Sequence, residues 1–121
     1  MEQHSAVEHI LKKMAEGLGE EPRPMVLLSK LVPEMIPRQA EDRKFVMELP
    51  HVPAKYKHLI IIAVAAGVSS HLCTETFVKT AHRAGLSKEK IAEAITTTRF
   101  ALASTTFGSA MEGMEYLTSA P

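Results

Sequence analysis

Ten consecutive residues, Leu59 to Val68, carry neither a charge nor a hydrogen-bonding side chain. The polar segment Pro53 to His58 runs directly into them, so together they predict a helix that is polar at first and then apolar on every side. A helix that is apolar all round has to be buried all round. The run is about half of the roughly 20 residues that a membrane-spanning helix needs, so protein rather than lipid has to cover it. With 121 residues, 45% of them hydrophobic, the chain supports one domain, residues 1–121, with a modest core. Enclosing such a helix completely is difficult for a monomer of that size, and a second subunit is expected to cover part of it.

The remaining segments also read as helices, and no stretch alternates as a strand would. Ser5-Ala6-Val7-Glu8 has the form of a capping box and predicts a helix start, followed by the apolar stripe Val7, Ile10, Leu11, Met14 and Leu18. Glu20 to Pro24 reads as a connector, and Met25 to Leu31 as one or two helical turns stopped by Pro33. An amphipathic helix is expected to begin close to Pro37 and to end before Pro50-His51-Val52-Pro53, with Pro53 as the first residue of the next helix. Ser69 or Ser70 is placed to cap a helix that ends at Gly85, and Ser87 to cap another. That second helix is expected to turn Ile91, Ala94, Ile95, Phe100 and Ala101 inward, with Gly108 dividing it from a last helix. Met25, Met35, Met47, Met111 and Met114 read as core filler. The predicted fold is all-α, a single-domain bundle of about six helices, oligomeric.

Charge excludes some functions. Fourteen basic residues balance fourteen acidic ones, leaving no cationic field for nucleic acid or for anionic lipid. The acidic start Met1-Glu2-Gln3-His4 lacks the form of a signal peptide, and a single cysteine forms no internal disulfide. The expectation is a soluble, cytoplasmic protein without nucleic-acid or membrane partners.

That cysteine, Cys73, is the one candidate nucleophile. At the first turn of a helix it meets unsatisfied amides and the positive end of the dipole, which favour a thiolate. Buried instead, it is a small hydrophobe. His58 stands where polar gives way to apolar and is either a general base near neutral pH or a satisfied histidine at a subunit boundary. His71 and Glu75, four apart, share a helical face and could share a metal ion or a hydrogen bond, while His82 is about 16 Å further along the helix from His71. No HExxH, Cys-x-x-Cys, phosphate loop or hydrolase elbow is present, so neither metal nor cofactor is expected.

Pro53-Ala54-Lys55-Tyr56-Lys57-His58-Leu59-Ile60-Ile61-Ile62-Ala63-Val64-Ala65, the segment Ser70 to Cys73, and Ala84-Gly85-Leu86-Ser87 followed by Ile91-Ala92-Glu93-Ala94 are similar to the carboxymuconolactone decarboxylase family, which includes the alkylhydroperoxidase D-like proteins. Leu28, Leu31, Pro33 and Glu34 add to the resemblance, which covers about residues 25–117. It implies an all-helical homo-oligomer, commonly a trimer or hexamer. The redox branch of that family carries a glutamate, eleven residues, then Cys-x-x-Cys-x-x-x-His. Laid on this chain, those positions are His58, Ser70, Cys73 and Phe77, so the second cysteine alone matches. Ser70 cannot supply the missing sulfur, and Phe77 cannot relay a proton.

The resemblance thus implies a single-cysteine, peroxidase-type antioxidant oxidoreductase in which Cys73 attacks a peroxide or disulfide. His58 assists proton transfer, the Ser70 hydroxyl adds a polar contact, and an external thiol reduces the product. Two alternatives stay open. One is a decarboxylase-like lyase of a small-molecule substrate, with His58 and His71 as acid and base and Cys73 only packing. The other is a non-catalytic oligomeric binding protein.

Overall fold

The computed structural model describes residues 2–121, of which those in regular structure are all helical, with no strand among them. Seven helices follow in order: α1 (Glu2–Leu18), α2 (Arg23–Leu31), α3 (Met35–Glu48), α4 (Ala54–Gly67), α5 (His71–Arg83), α6 (Lys88–Ser109) and α7 (Met111–Ser119). No described helix is long and apolar enough to cross a membrane.

The apolar run becomes α4, which packs against α5 and α6, while α1 lies across α2, α3 and α5. Ile62 and Ala81 are fully buried and, with Leu86 and Ile91, form a core cluster against which Leu59, Phe77 and Val78 pack. Burial of the run is nevertheless one-sided. Ile62 is 0% exposed, whereas Val68 is 71% exposed and Ile60 and Val64 are also open. A helix of 3.6 residues per turn puts Ile60, Val64 and Val68 on one line, and a single chain leaves that line bare.

Several element ends differ from the sequence expectation, each for a local reason. α1 begins at Glu2 and takes Ser5 into its body. The expected cap glutamate, Glu8, instead meets His4 one turn back at 2.9 Å, a pairing that i,i+4 geometry favours. α2 and α3 start at Arg23 and Met35, ahead of Pro24 and Pro37, because a proline in the first turn gives up an amide that would have had no partner. Pro53 takes the cap position of α4 rather than its first helical one, at φ −57° and ψ 149°. Ser87 does cap α6, accepting the Lys90 amide at 3.2 Å.

The largest departures lie in α6 and α7. Gly108 does not divide them; α6 continues through it to Ser109, and the break is at Ala110. Of the residues expected to face inward, Ile91 is buried and Ala94 half-buried, but Ile95, Phe100 and Ala101 are exposed. Met111 and Met114, read as core filler, are exposed as well, as is Met35. α7 packs against α6 and no other described helix. Periodicity had identified the apolar positions, but nothing in the same chain folds over them.

Candidate functional site

Cys73 stands in the first turn of α5, on a helix start that its neighbours leave open. α4 ends through Ser69, a non-glycine residue at φ 59°, with the Ser70 amide donating to the Ala65 carbonyl at 2.9 Å and the Ser69 amide to Ala66 at 3.1 Å. These are the paired bonds of a helix-ending turn that ordinarily places glycine at the left-handed position. Ser70 then occupies the cap position of α5, where its hydroxyl accepts no cap bond. Its carbonyl accepts from the Thr74 amide at 2.9 Å and the Thr74 hydroxyl at 2.7 Å. Among the described residues, the amides of His71, Leu72 and Cys73 gain no partner, which leaves the donor-rich, positive end of the helix free to face an anion.

The thiol is exposed. In a single chain it is therefore not the buried small hydrophobe that was one reading of the sequence. Ser70, three residues earlier, holds the cap position of the same helix. Phe77, at the position where the redox pattern has its histidine, is half-buried and packs on the Ile62 cluster, so it serves the core.

His58 sits elsewhere. It is 8% exposed on α4, and its Nδ1 is buried without a hydrogen-bond partner. Burial first, and the nearby Arg43 charge second, hold the imidazole below its ordinary pKa, so it is neutral at pH 7. Nine residues of helix, about 13 Å by the helical rise, separate it from Gly67 at the end of α4, beyond which the Cys73 turn begins. A chain of waters or a bound substrate has to link the two if they act together.

The residue beside His58 gave no sequence signal. Lys57 is buried, and its Nζ donates to the carbonyls of Val46 at 2.7 Å, Met47 at 3.3 Å and Leu49 at 2.7 Å. Those carbonyls belong to the end of α3, where backbone acceptors lack helical partners and a cation is favoured. The bonds tie α3 to the first turn of α4 and so fix the position of His58. Only tertiary structure brings the end of α3 to a lysine that reads as solvated.

The other polar candidates are not gathered here. His71 is exposed, and Glu75 pairs with Lys79 at 2.7 Å rather than with His71. Lys79 also meets Glu20 at 2.6 Å, which binds α5 to the connector after α1. The hydrogen bond from Lys79, then its charge, hold the Glu75 carboxyl below its ordinary value. No group of three or more His, Cys, Asp or Glu side chains converges among the described residues. His82 lines a groove of about 320 Å³ with Val78, Lys88 and Ile95. A second groove of about 460 Å³ runs along α3 between Met35 and Phe45. Neither is lined by Cys73 or His58.

No curated protein sequence matches the chain significantly. The model of the carboxymuconolactone decarboxylase family matches residues 39–115, a span that takes in most of α3, all of α4, α5 and α6, and the turn that carries Cys73. The all-helical architecture agrees with that match, and the chain belongs to the carboxymuconolactone decarboxylase family.

Proposed function

We propose that this family member is a peroxidase-type oxidoreductase working through a single thiol. What carries the reading is the exposed Cys73 sulfur on the uncapped amino end of α5, at the position of the second cysteine in the redox pattern that the chain resembles. The thiolate attacks the terminal oxygen of a hydroperoxide. The S–O bond forms as the O–O bond breaks, sulfur is oxidised to the sulfenic level, and the leaving alkoxide takes a proton to become an alcohol. An external thiol then attacks the sulfenate sulfur, releasing water and giving a mixed disulfide, and a second equivalent of thiol restores Cys73. His58, neutral at pH 7, takes up the thiol proton along a chain of waters spanning the intervening distance and returns it to the leaving oxygen, and the Ser70 hydroxyl, at the cap of the same helix, adds a polar contact. Dependence on external thiol suits a reducing compartment such as the cytoplasm. The working form is a homo-oligomer, a trimer or hexamer, in which further copies cover the apolar line on α4.

The test is direct. Stoichiometric hydrogen peroxide should yield a dimedone adduct at Cys73, and excess dithiothreitol should support peroxide consumption that Cys73→Ser abolishes. Absence of the adduct, together with consumption no faster than that of dithiothreitol alone, overturns the reading.

The buried, unpartnered Nδ1 of His58 favours one other reading, a lyase in which that nitrogen exchanges a proton with a carboxylated lactone while Cys73 takes no part. Turnover of such a lactone that persists in Cys73→Ala and disappears in His58→Gln selects it.

A further inference from the structure

The groove between α5 and α6 opens on the side of α5 away from the thiol. His82 follows Cys73 by nine residues, two and a half turns of helix, so the two side chains leave α5 about 180° apart and about 13 Å along it. The groove is therefore independent of the thiol chemistry proposed above.

Its floor is apolar, formed by Val78 of α5 with Ile91, Ala92 and Ile95 of α6. The three residues of α6 are spaced one, three and four apart and share a face of that helix. Ile91 is buried at the bottom, and Ile95 is 41% exposed at the lip. The polar residues of the rim are all basic, Lys79 and His82 from α5 and Lys88 from α6, and no carboxylate lines the groove. The groove on α3 is different in kind, since Arg38 there stands with Glu41 and Asp42. Lys79 is already matched by Glu20 and Glu75. His82 and Lys88 form no ion pair among the described residues.

Lys88 also stands at the unfavourable end of its helix. The first turn of α6 holds Lys88 and Lys90 with one acid, Glu89, although the amide-rich start of a helix favours anions over cations. Glu89 leaves the helix about 100° around the axis from Lys88 and does not line the groove. Cations added to the positive end of a helix raise a local potential that an anion seated beside Lys88 relieves. Such a conflict between a residue and its local setting is characteristic of functional sites.

Floor and rim together select the occupant. An inorganic anion leaves the apolar floor wet, and a neutral hydrocarbon leaves the basic rim unused. A molecule with one apolar part and one anionic end matches both, and about 320 Å³ is at the small end of the range for small-molecule sites. We infer that the α5–α6 groove binds a small amphiphilic carboxylate, its alkyl chain along Val78, Ile91 and Ile95 and its carboxylate at Lys88 and His82.

Decanoate, kept below the concentration at which it forms micelles, is the probe, titrated into the full chain while methyl and amide resonances are followed. Saturable shifts are expected at Val78, Ile91, Ala92 and Ile95, with half-saturation on the order of 0.1 mM. Decanol, which keeps the chain and lacks the charge, should bind about tenfold more weakly. Lys88→Glu, at an exposed position, should weaken decanoate about tenfold and leave the Cys73 alkylation rate unchanged. Three results overturn the inference: shifts that are absent from the groove or spread equally over the exposed line Ile60, Val64 and Val68, decanol bound as tightly as decanoate, or a folded Lys88→Glu with unchanged affinity. Should Lys88→Glu not fold, Lys88→Gln and the decanol comparison decide the same question.

Discussion

At the carboxyl end of α5 the chain turns through Gly85 at φ 103°, with the Leu86 amide on the Ala81 carbonyl at 3.1 Å and the Gly85 amide on His82 at 3.0 Å. At its amino end the chain arrives through the same crossed pair of bonds, with Ser69 at φ 59° in place of glycine. The first turn leads straight into the core, since Leu86, Ala81, Ile62 and Ile91 are buried together. The second leads to an uncapped helix start with an exposed thiol. One backbone device therefore serves stability at one end of a helix and presentation of a reactive group at the other. What separates them is whether apolar side chains close over the turn.

That contrast is broken most forcefully at the core end. Ile62→Ala removes three methyl-sized groups from a fully enclosed position and should cost about 3 kcal/mol in urea unfolding. The Cys73 alkylation rate in the folded variant should stay unchanged. A matching change in that rate would show that the two ends of α5 are coupled.

Next comes Lys57→Met, expected to lower stability by about 2 kcal/mol, because the α3 carbonyls lose a charged donor while the stem volume is kept. Removing that tie should also loosen His58, seen as a broadened imidazole resonance. Gly85→Ala follows at about 1.5 kcal/mol. A Cβ there has open space around it, so no contact adds to the cost, which is the left-handed backbone less the entropy lost from the unfolded chain.

A gentler effect is a slope with pH. The folded state holds the His58 pKa below its unfolded value, so the unfolded chain binds more protons in the acid range. Stability is then fully present above about pH 6.5 and declines as pH falls through the depressed folded value. His58→Gln should flatten the part of the acid slope that this group contributes, as read from unfolding midpoints between pH 7 and 5.

The core end of α5 was legible because its signals are chemical. Ala84-Gly85 ends a helix wherever a left-handed residue is needed, and the apolar run before Gly67 has one strong reading. The functional end was only half legible. Cys73 stood out as the sole thiol, but a serine in the left-handed region leaves no mark in a sequence, and Ser70 at a cap position does not reveal that its hydroxyl makes no cap bond. Ser5-Ala6-Val7-Glu8 misled for a related reason: the same residues that cap a helix also sit within one when an upstream histidine pairs with the glutamate. Phe100 and Phe107 show a further limit. Their spacing identifies an apolar face, but which surface covers it is a property of packing that periodicity does not contain.

The smallest expected effect bears most closely on the comparison. Ser69→Gly relieves a left-handed β-carbon, a gain of about 1 kcal/mol. It also gives the unfolded chain glycine's freedom, a loss of about 0.4–1 kcal/mol. The two nearly cancel, so the unfolding midpoint should move by less than about 0.5 kcal/mol, and with the turn bonds kept the Cys73 alkylation rate should hold within about twofold. A stability gain well above 1 kcal/mol would mean that the serine is held under strain that the rest of the fold offsets. A drop in alkylation rate without a change in stability would mean instead that the serine aims the first turn of α5. Either result would sharpen the contrast with Gly85, where adding a β-carbon brings the left-handed cost and only the reduced freedom of the unfolded chain to set against it.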